Sequence, residues 1–456
     1  MGEISEKHVA SQARNGAALT ASVLGQTLLK RRPADRSLSS AFYEHHEFGA
    51  RDRRLISETL FAVLRWWGWL RHLMPRPFVE AWERRDESAR LQLTLEEFYP
   101  AFAVAWFLEG RNELPAAAQY WLDGCGIVRG DIHFLPPEAP FLERKRYLLP
   151  FLRHARRTVT LRDEELLPDW CLEELTLPDG HPVTELLEWE QARPPVWLRV
   201  QTEDARALYR ELAEHEVRAA RHPRMANAWQ LDYAGANLRG LPAFRAGQFE
   251  IQDIASQIVA EVCAPKPGER WWDACAGGGG KTLHLASLMR QKGTVLATDI
   301  RLHKLEDLKL RARRAQFPNI RYKEWKGKDM PTFHEQFHGV LVDTACSCSG
   351  TWRRNPDARW TTFPEEIDEF HRLQLQLLTN ASRGVRPGGR LVYSTCSMFR
   401  RENQAVVQEF LEAHPDFALE PFVCPMTGRE TDGMSQVWPW DADCDAMFTA
   451  RMTRKP

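Results

Sequence analysis

The sequence predicts a multidomain protein: an N-terminal all-α bundle over residues 1–160, a small α+β module over 165–245, and a C-terminal α/β unit over 246–456 built on a doubly wound, mostly parallel sheet. Three observations carry this. Apolar residues recur at helical spacing through the first third of the chain, where strand-like alternation is scarce. From about residue 246, short apolar strand-like runs alternate with helical stretches. The first of these runs opens into a glycine-rich turn, and two later ones end at cysteines.

In the N-terminal region Ile56, Leu60, Val63, Leu64 and Trp67 follow one helix face, and Leu91, Leu95, Phe98 and Phe102 repeat the pattern. Basic residues cluster at Lys30-Arg31-Arg32, at Arg51-Asp52-Arg53-Arg54 and from Arg153 to Arg157. They suit either a solvated bundle surface or a patch facing RNA. In the middle module Val196–Val200 reads as a strand, Glu203–Glu214 as a helix, and Trp229-Gln230-Leu231 as a β-like piece; Pro194-Pro195 and Gly240-Leu241-Pro242 punctuate it. The C-terminal strands are expected at Arg270–Ala274, Thr294–Thr298, Ile320–Trp325, Gly339–Asp343 and Gly389–Ser394, with helices over 282–290, 302–316 and 365–383 between them.

The 61 basic and 62 acidic residues nearly cancel, which argues against a generally sticky nucleic-acid binder without excluding a local basic groove. Nine cysteines without repeating spacing fit a reducing cytosol better than a secreted disulfide framework. A cytoplasmic protein with no membrane partner is expected: the start MGEISEKHVASQARNG lacks the apolar core of a signal peptide, and position 6 is Glu where myristoylation after Met1-Gly2 needs Ser or Thr.

After the run Trp271-Trp272-Asp273 comes Ala276-Gly277-Gly278-Gly279-Gly280-Lys281-Thr282. Glycine-rich turns after a first strand let a nucleotide-like cofactor approach the backbone closely. A P-loop would need glycine where Cys275 stands. A dinucleotide fingerprint would need glycine where Thr282 stands. The third class is the S-adenosylmethionine pocket of class I methyltransferases. An acid about 20 residues on takes the ribose hydroxyls in nucleoside-binding sheets, and here that acid is Asp299, after Thr294-Val295-Leu296-Ala297-Thr298.

Cys346 follows the run Val340-Leu341-Val342 and Cys396 follows Leu391-Val392-Tyr393. Ligands of parallel sheets bind beyond the carboxyl ends of the strands, so the glycine turn and both thiols are expected to share one crevice. A thiolate is a strong carbon nucleophile. Carbon 5 of cytosine is too electron-poor to take a methyl directly. Addition of a thiolate at carbon 6 makes carbon 5 enamine-like. An acid near ring nitrogen 3 stabilises the adduct, and a second group helps remove the carbon 5 proton and expel the thiol. Two thiols and Asp343 match that scheme. A structural metal at Cys346-Ser347-Cys348 would need further ligands that no nearby His or Cys pair supplies, so no metal is expected.

Together these motifs resemble those of the RsmB-like branch of the Nop/Sun family of RNA cytosine-5 methyltransferases. Arg53-Arg54-Leu55-Ile56 through Val63-Leu64-Arg65 looks like its NusB-like helical domain, and Gln252-Asp253-Ile254-Ala255-Ser256 like the entry into its catalytic domain. Asp273-Ala274-Cys275-Ala276 with Gly279-Gly280-Lys281-Thr282 is similar to its cofactor motif. Asp343 and Cys346 with Arg353-Arg354-Asn355-Pro356-Asp357, and Ser394-Thr395-Cys396-Ser397 with Glu402-Asn403, are similar to its two cysteine motifs. The resemblance implies a class I methyltransferase domain that moves a methyl group from S-adenosyl-L-methionine to carbon 5 of a cytidine in RNA, with ribosomal RNA as the expected substrate, through a covalent cysteine–cytosine adduct. It implies Cys396 as nucleophile, Cys346 as the thiol assisting release, and Asp343 as a contact to the base that also borders the cofactor. It implies that Cys275, Ala276, Gly277, Gly278, Gly279, Gly280, Lys281, Asp299 and Lys304 hold the cofactor, with Asp329 as a third acid. The N-terminal domain would bind RNA, and the protein would act as a monomer.

The sequence departs from the family at several positions. Ala345 stands where the family carries Pro before the first cysteine, and Cys348 where it carries a small residue; a positive φ there would strain a cysteine. Gly277 and Gly278 replace Ala and Pro, which loosens the turn. Arg353 and Arg354 would suit phosphate contacts or surface ion pairs, and Trp360 base stacking or core packing.

Overall fold

A computed structural model describes residues 6–111, 113–136, 138–232, 237–327 and 329–456, so Met1-Gly2 and Lys328 lie outside the described residues. The chain divides into two compact units: residues 1–173, 177–193 and 352–363 in the first, and residues 174–176, 194–351 and 364–456 in the second. This division differs from the sequence boundaries. The helical unit runs on to residue 193, and the small module joins the C-terminal unit. Residues 352–363, expected within the catalytic domain, fold with the helices.

The first unit is helical, with main helices Glu6–Leu28, Ala34–Glu44, Ala50–Arg65, Arg76–Glu83, Tyr99–Leu108 and Ala116–Gly124. Ile56, Leu60, Val63 and Leu64 are fully buried on one face of Ala50–Arg65, as their spacing predicts. The second periodic set is different. Leu91 and Leu95 are not helical, and helix begins only at Glu96. Thr94 sets that start: its backbone N–H and hydroxyl both donate to Glu97, three residues on, and Pro100 follows in the first turn of Tyr99–Leu108. The inserted segment 352–363 is bonded inside this unit. Asp357 accepts from the Ala34 backbone N–H at 3.0 Å, and Trp360 donates to the Leu64 carbonyl at 2.6 Å. The fully buried Arg359 pairs with the equally buried Glu190 at 2.8 Å and donates to the Leu166 carbonyl. Trp360 is therefore core. Arg353 is also fully buried, donating to the Ala192 carbonyl and lying over the Trp189 ring. A guanidinium so enclosed makes no phosphate contact, which corrects that reading.

In the second unit the small module is a four-stranded antiparallel sheet in the order β2-β3-β1-β4, from β1 (Val196–Val200), β2 (Arg218–Arg221), β3 (Ala228–Asp232) and β4 (Phe249–Ile251). Helix Ala205–Glu214 is capped by Asp204, whose side chain accepts from the Ala207 N–H. The large sheet contains β5 (Arg270–Asp273), β6 (Thr294–Asp299), β7 (Ile320–Glu324), β8 (Phe337–Asp343), β9 (Val385–Thr395), β10 (Phe417–Leu419) and β14 (Met447–Arg454). A short pair, β11 (Phe422–Val423) and β12 (Glu430–Thr431), precedes β13 (Met434–Val437), which edges β14. The order is β10-β14-β9-β8-β5-β6-β7; β7, β6, β5, β8 and β9 are parallel, and β14 is antiparallel to both neighbours.

Alternation along the strands covers both faces. Trp271, Val295, Leu341 and Val392 pack with helices Ile254–Cys263, Gly280–Leu288 and Leu302–Arg314. Trp272, Val340, Val342, Leu391 and Tyr393 pack with Pro364–Ser382 and Gln404–Ala413 on the other face. Gly339 is required where β8 passes Trp271, since a Cβ there would lie 2.3 Å from the indole. Among the described residues no helix is long and apolar enough to cross a membrane.

Candidate active site

Four strand ends converge on one cavity of about 740 Å³ in the second unit, a size that accommodates a nucleoside cofactor. The turn after β5 brings Cys275, Ala276, Gly277, Gly278, Gly280 and Lys281 to its wall. The end of β6 brings Asp299, the end of β8 brings Asp343 and Cys346, and the residue after β9 is Cys396. This is the crevice expected beyond the carboxyl ends of a parallel sheet.

The glycine turn keeps its shape without side chains. Gly277 has φ +52 and Gly279 φ +83, both in the left-handed region. A Cβ on Gly279 would lie 2.3 Å from Leu308 Cγ, so Gly279 shapes the turn from behind rather than lining the cavity. Gly277 N–H donates to Asp299 Oδ2 at 2.8 Å, and Ala276 N–H donates to the Thr298 carbonyl. Asp299 is almost fully buried. Burial alone would raise its pKa, but hydrogen bonds from Arg301 and from the Arg301 and Gly277 backbone hold the carboxyl below its usual range. Arg301 holds Asp299 Oδ1 through Nε at 3.0 Å, yet half of its side chain is exposed.

S-adenosylmethionine fits these residues. The turn is clear of side chains, the carboxylate beside it is ionised, and the solvent-reaching Arg301 can give way to ribose hydroxyls. Trp325, just beyond β7, also lines the cavity, and its buried indole N–H has no hydrogen-bond partner among the described residues. Two expected contacts lie elsewhere. Lys304 faces a neighbouring surface hollow and pairs with Asp307 at 3.8 Å. Asp329 is exposed, bridged to Lys326, and off the cavity wall.

Behind the turn Asp273 is fully buried and accepts from Thr282 Oγ1 at 2.6 Å, while its Oδ1 has no partner among the described residues. Burial pushes its pKa from 3.8 to about 7. The unfolded chain releases this proton near the ordinary value, whereas the folded chain keeps it up to about pH 7. Stability therefore falls as pH rises between those values, by on the order of 4 kcal/mol once both states are ionised. Thermal melts should show Asp273→Asn gaining on wild type from about pH 5 to about pH 8. A difference in Tm that does not change with pH would mean that Asp273 is ionised throughout.

Asp343 accepts from Lys281 Nζ and from Ser394 Oγ, each at 2.8 Å. Burial opposes the Lys281 charge, but the adjacent Asp343 carboxylate outweighs it and leaves the Lys281 pKa raised. Cys346 Sγ lies 3.4 Å from Cys396 Sγ. Hydrogen bonding among the crowded thiols, with burial, pushes Cys346 well up. Cys396 is also pushed up: contact with Cys346 favours its anion, but Cys348 and burial outweigh it. The Cys346 and Cys396 hydrogen bonds pull the Cys348 thiol down. Cys348 has φ +57, a left-handed conformation that strains a cysteine and that glycine adopts freely. The Ala345 carbonyl accepts from Gln374 Nε2 at 3.0 Å.

The structure adds a carboxylate whose through-space role no spacing announces. Glu402 is fully buried and accepts from Ser347 N–H at 2.9 Å, from Ser347 Oγ and Ser397 Oγ at 2.5 Å each, and from Gln374 Nε2 at 3.0 Å. Ser347 follows Cys346 and Ser397 follows Cys396, so one side chain ties both cysteine loops. Gly350 N–H adds a bond to the Cys396 carbonyl at 2.8 Å. The one signal in the sequence is the adjacent pair Glu402-Asn403 after the second cysteine.

Residues 260–453 match the profile of a family described as 16S rRNA methyltransferase RsmB/F. Over 418 residues the chain is 29% identical to a ribosomal RNA small subunit methyltransferase B of Yersinia pestis biovar Antiqua (strain Angola), covering 89% of this chain and 91% of that protein. Among solved structures it is similar to PH0851, at TM-score 0.71 and 25% identity over 96% of this chain and 98% of that one. A methyltransferase homolog protein from Pyrococcus horikoshii aligns at TM-score 0.51 and 25% identity, covering 62% of this chain and 92% of that one.

Proposed function

We propose, for a chain whose catalytic domain belongs to the RsmB/F methyltransferase family and whose cofactor is S-adenosylmethionine, that the methyl group goes to carbon 5 of a cytidine in ribosomal RNA. The observation that supports this reading most is the pair of sulfurs 3.4 Å apart beside Asp343, on the wall of the cofactor cavity. Bound S-adenosylmethionine supplies an electrophilic methyl. The side chains do the rest. Cys396 gives up its proton and adds to carbon 6 of the base, while Asp343, held by Lys281 and Ser394, faces the ring-nitrogen edge and passes a proton to ring nitrogen 3, so that the adduct is neutral. Cys346, in contact with Cys396, assists loss of the carbon 5 proton. The carbon 6–sulfur bond then breaks and the Cys396 thiolate leaves. Gly277, Gly278 and Asp299 hold the nucleoside part of the cofactor, and the N-terminal helical unit serves RNA binding.

The test is the identity of the product. Unmodified ribosomal RNA would be incubated with the protein and S-adenosylmethionine labelled in its methyl group, then digested to nucleosides. Label is expected in 5-methylcytidine. Label in any other nucleoside would contradict the cytosine assignment.

A further inference from the structure

We propose that Cys346, Cys348 and Cys396 form a three-sulfur binding site for a soft d10 cation, with Zn²⁺ as the species to test. From the sequence, Cys346-Ser347-Cys348 lacked a second pair of ligands. The fold supplies the missing sulfur from another strand, since Cys396 directly follows β9. All three Sγ atoms lie within 4.8 Å of one another, and the Cys346–Cys396 separation is 3.4 Å. With zinc–sulfur bonds of about 2.3 Å, three thiolates around one ion stand about 3.8–4.0 Å apart. The observed spread brackets that separation, and small χ1 adjustments close it.

Cys348 makes the difference between two sulfurs and three. Its φ of +57 is a conformation glycine adopts without cost, so the thiol is carried there against the backbone preference. Thiolates select cations such as Zn²⁺ and Cu(I). Three protein ligands with a fourth position open to water is a coordination that zinc accepts, and all three cysteines line a cavity that admits the ion. Binding converts three thiols and Zn²⁺ into a trithiolate complex and three released protons, with no change of oxidation state. Occupancy would withdraw Cys346 and Cys396 from the RNA base. That consequence rests on their proposed catalytic roles; the binding does not.

The full-length protein, stripped with chelator and kept reduced by a phosphine, would be titrated with Cd²⁺ while the ultraviolet thiolate-to-cadmium charge-transfer band is followed. Zn²⁺ would then be added as competitor. Wild type is expected to bind one equivalent and to release it only to a large excess of Zn²⁺, because thiolates favour the softer cadmium. Cys348→Gly relieves the positive φ while removing the sulfur, and should bind about 100-fold more weakly. Cys348→Ser keeps the size without the thiol and should match it. S-adenosylmethionine binding by each variant checks that the domain is folded. Absence of the band in wild type, or a band of equal affinity in folded Cys348→Gly, would overturn the proposal. Zinc binding without any methyl transfer to ribosomal RNA would sink the function proposed above and leave this site standing.

Discussion

Cys396→Ala should lower methyl transfer by about four orders of magnitude or more while leaving S-adenosylmethionine affinity unchanged. Without a thiolate at carbon 6, carbon 5 of cytosine stays electron-poor, and no other side chain replaces that covalent step. Cys396 sits just after β9, whereas the glycine turn and Asp299 come from the ends of β5 and β6. Losing one sulfur therefore leaves the residues that would carry the cofactor in place. Single-turnover methylation and equilibrium cofactor binding would be measured on the same preparation. Turnover close to wild type would remove Cys396 as the nucleophile. Loss of cofactor binding would point to a structural role instead.

Glu402→Ala should also be severe, although Glu402 is not a catalytic residue. Its carboxylate receives four hydrogen bonds, two from Ser347, one from Ser397 and one from Gln374. Removing it leaves buried donors without an acceptor, each costing about 1–3 kcal/mol. It also unties the loops that hold Cys346 and Cys396 at 3.4 Å. A misplacement of about 1 Å at a reacting group costs on the order of 100-fold in rate. The fall is expected in kcat, with cofactor affinity intact. Glu402→Gln, which keeps one acceptor oxygen and the shape, should recover much of the loss. Equal loss in Ala and Gln variants would mean that the carboxylate acts on the reaction rather than through the two loops.

The sequence was most legible where one physical rule acted alone. Apolar runs bounded by glycine, proline and charge located β5, β6, β7, β8 and β9 to within a few residues. Because parallel strands present their carboxyl ends together, those runs also placed Cys275, Asp299, Asp343, Cys346 and Cys396 in one crevice. Legibility failed where tertiary context overrode local pattern. Leu91 and Leu95 have helical spacing, but Thr94 with Glu97 starts the helix later. Arg353 suits a phosphate contact or a surface ion pair by its sequence; it is buried because its segment completes the helical unit, where the Ala192 carbonyl receives it. Lys304 and Asp329 were expected at the cofactor, yet neither lines the cavity. The Glu402 clamp joins residues 55 positions apart, a pairing visible only once β8 and β9 lie side by side.

The measurement that tests the two-thiol reading most directly is a denaturing protein gel of wild type, Cys346→Ala and Cys396→Ala after incubation with unmodified ribosomal RNA and methyl-labelled S-adenosylmethionine. If Cys396 forms the bond and Cys346 assists its release, Cys346→Ala accumulates a labelled, RNase-sensitive adduct and Cys396→Ala forms none. An adduct in Cys396→Ala, or methylated RNA released at the wild-type rate by Cys346→Ala, would contradict that assignment.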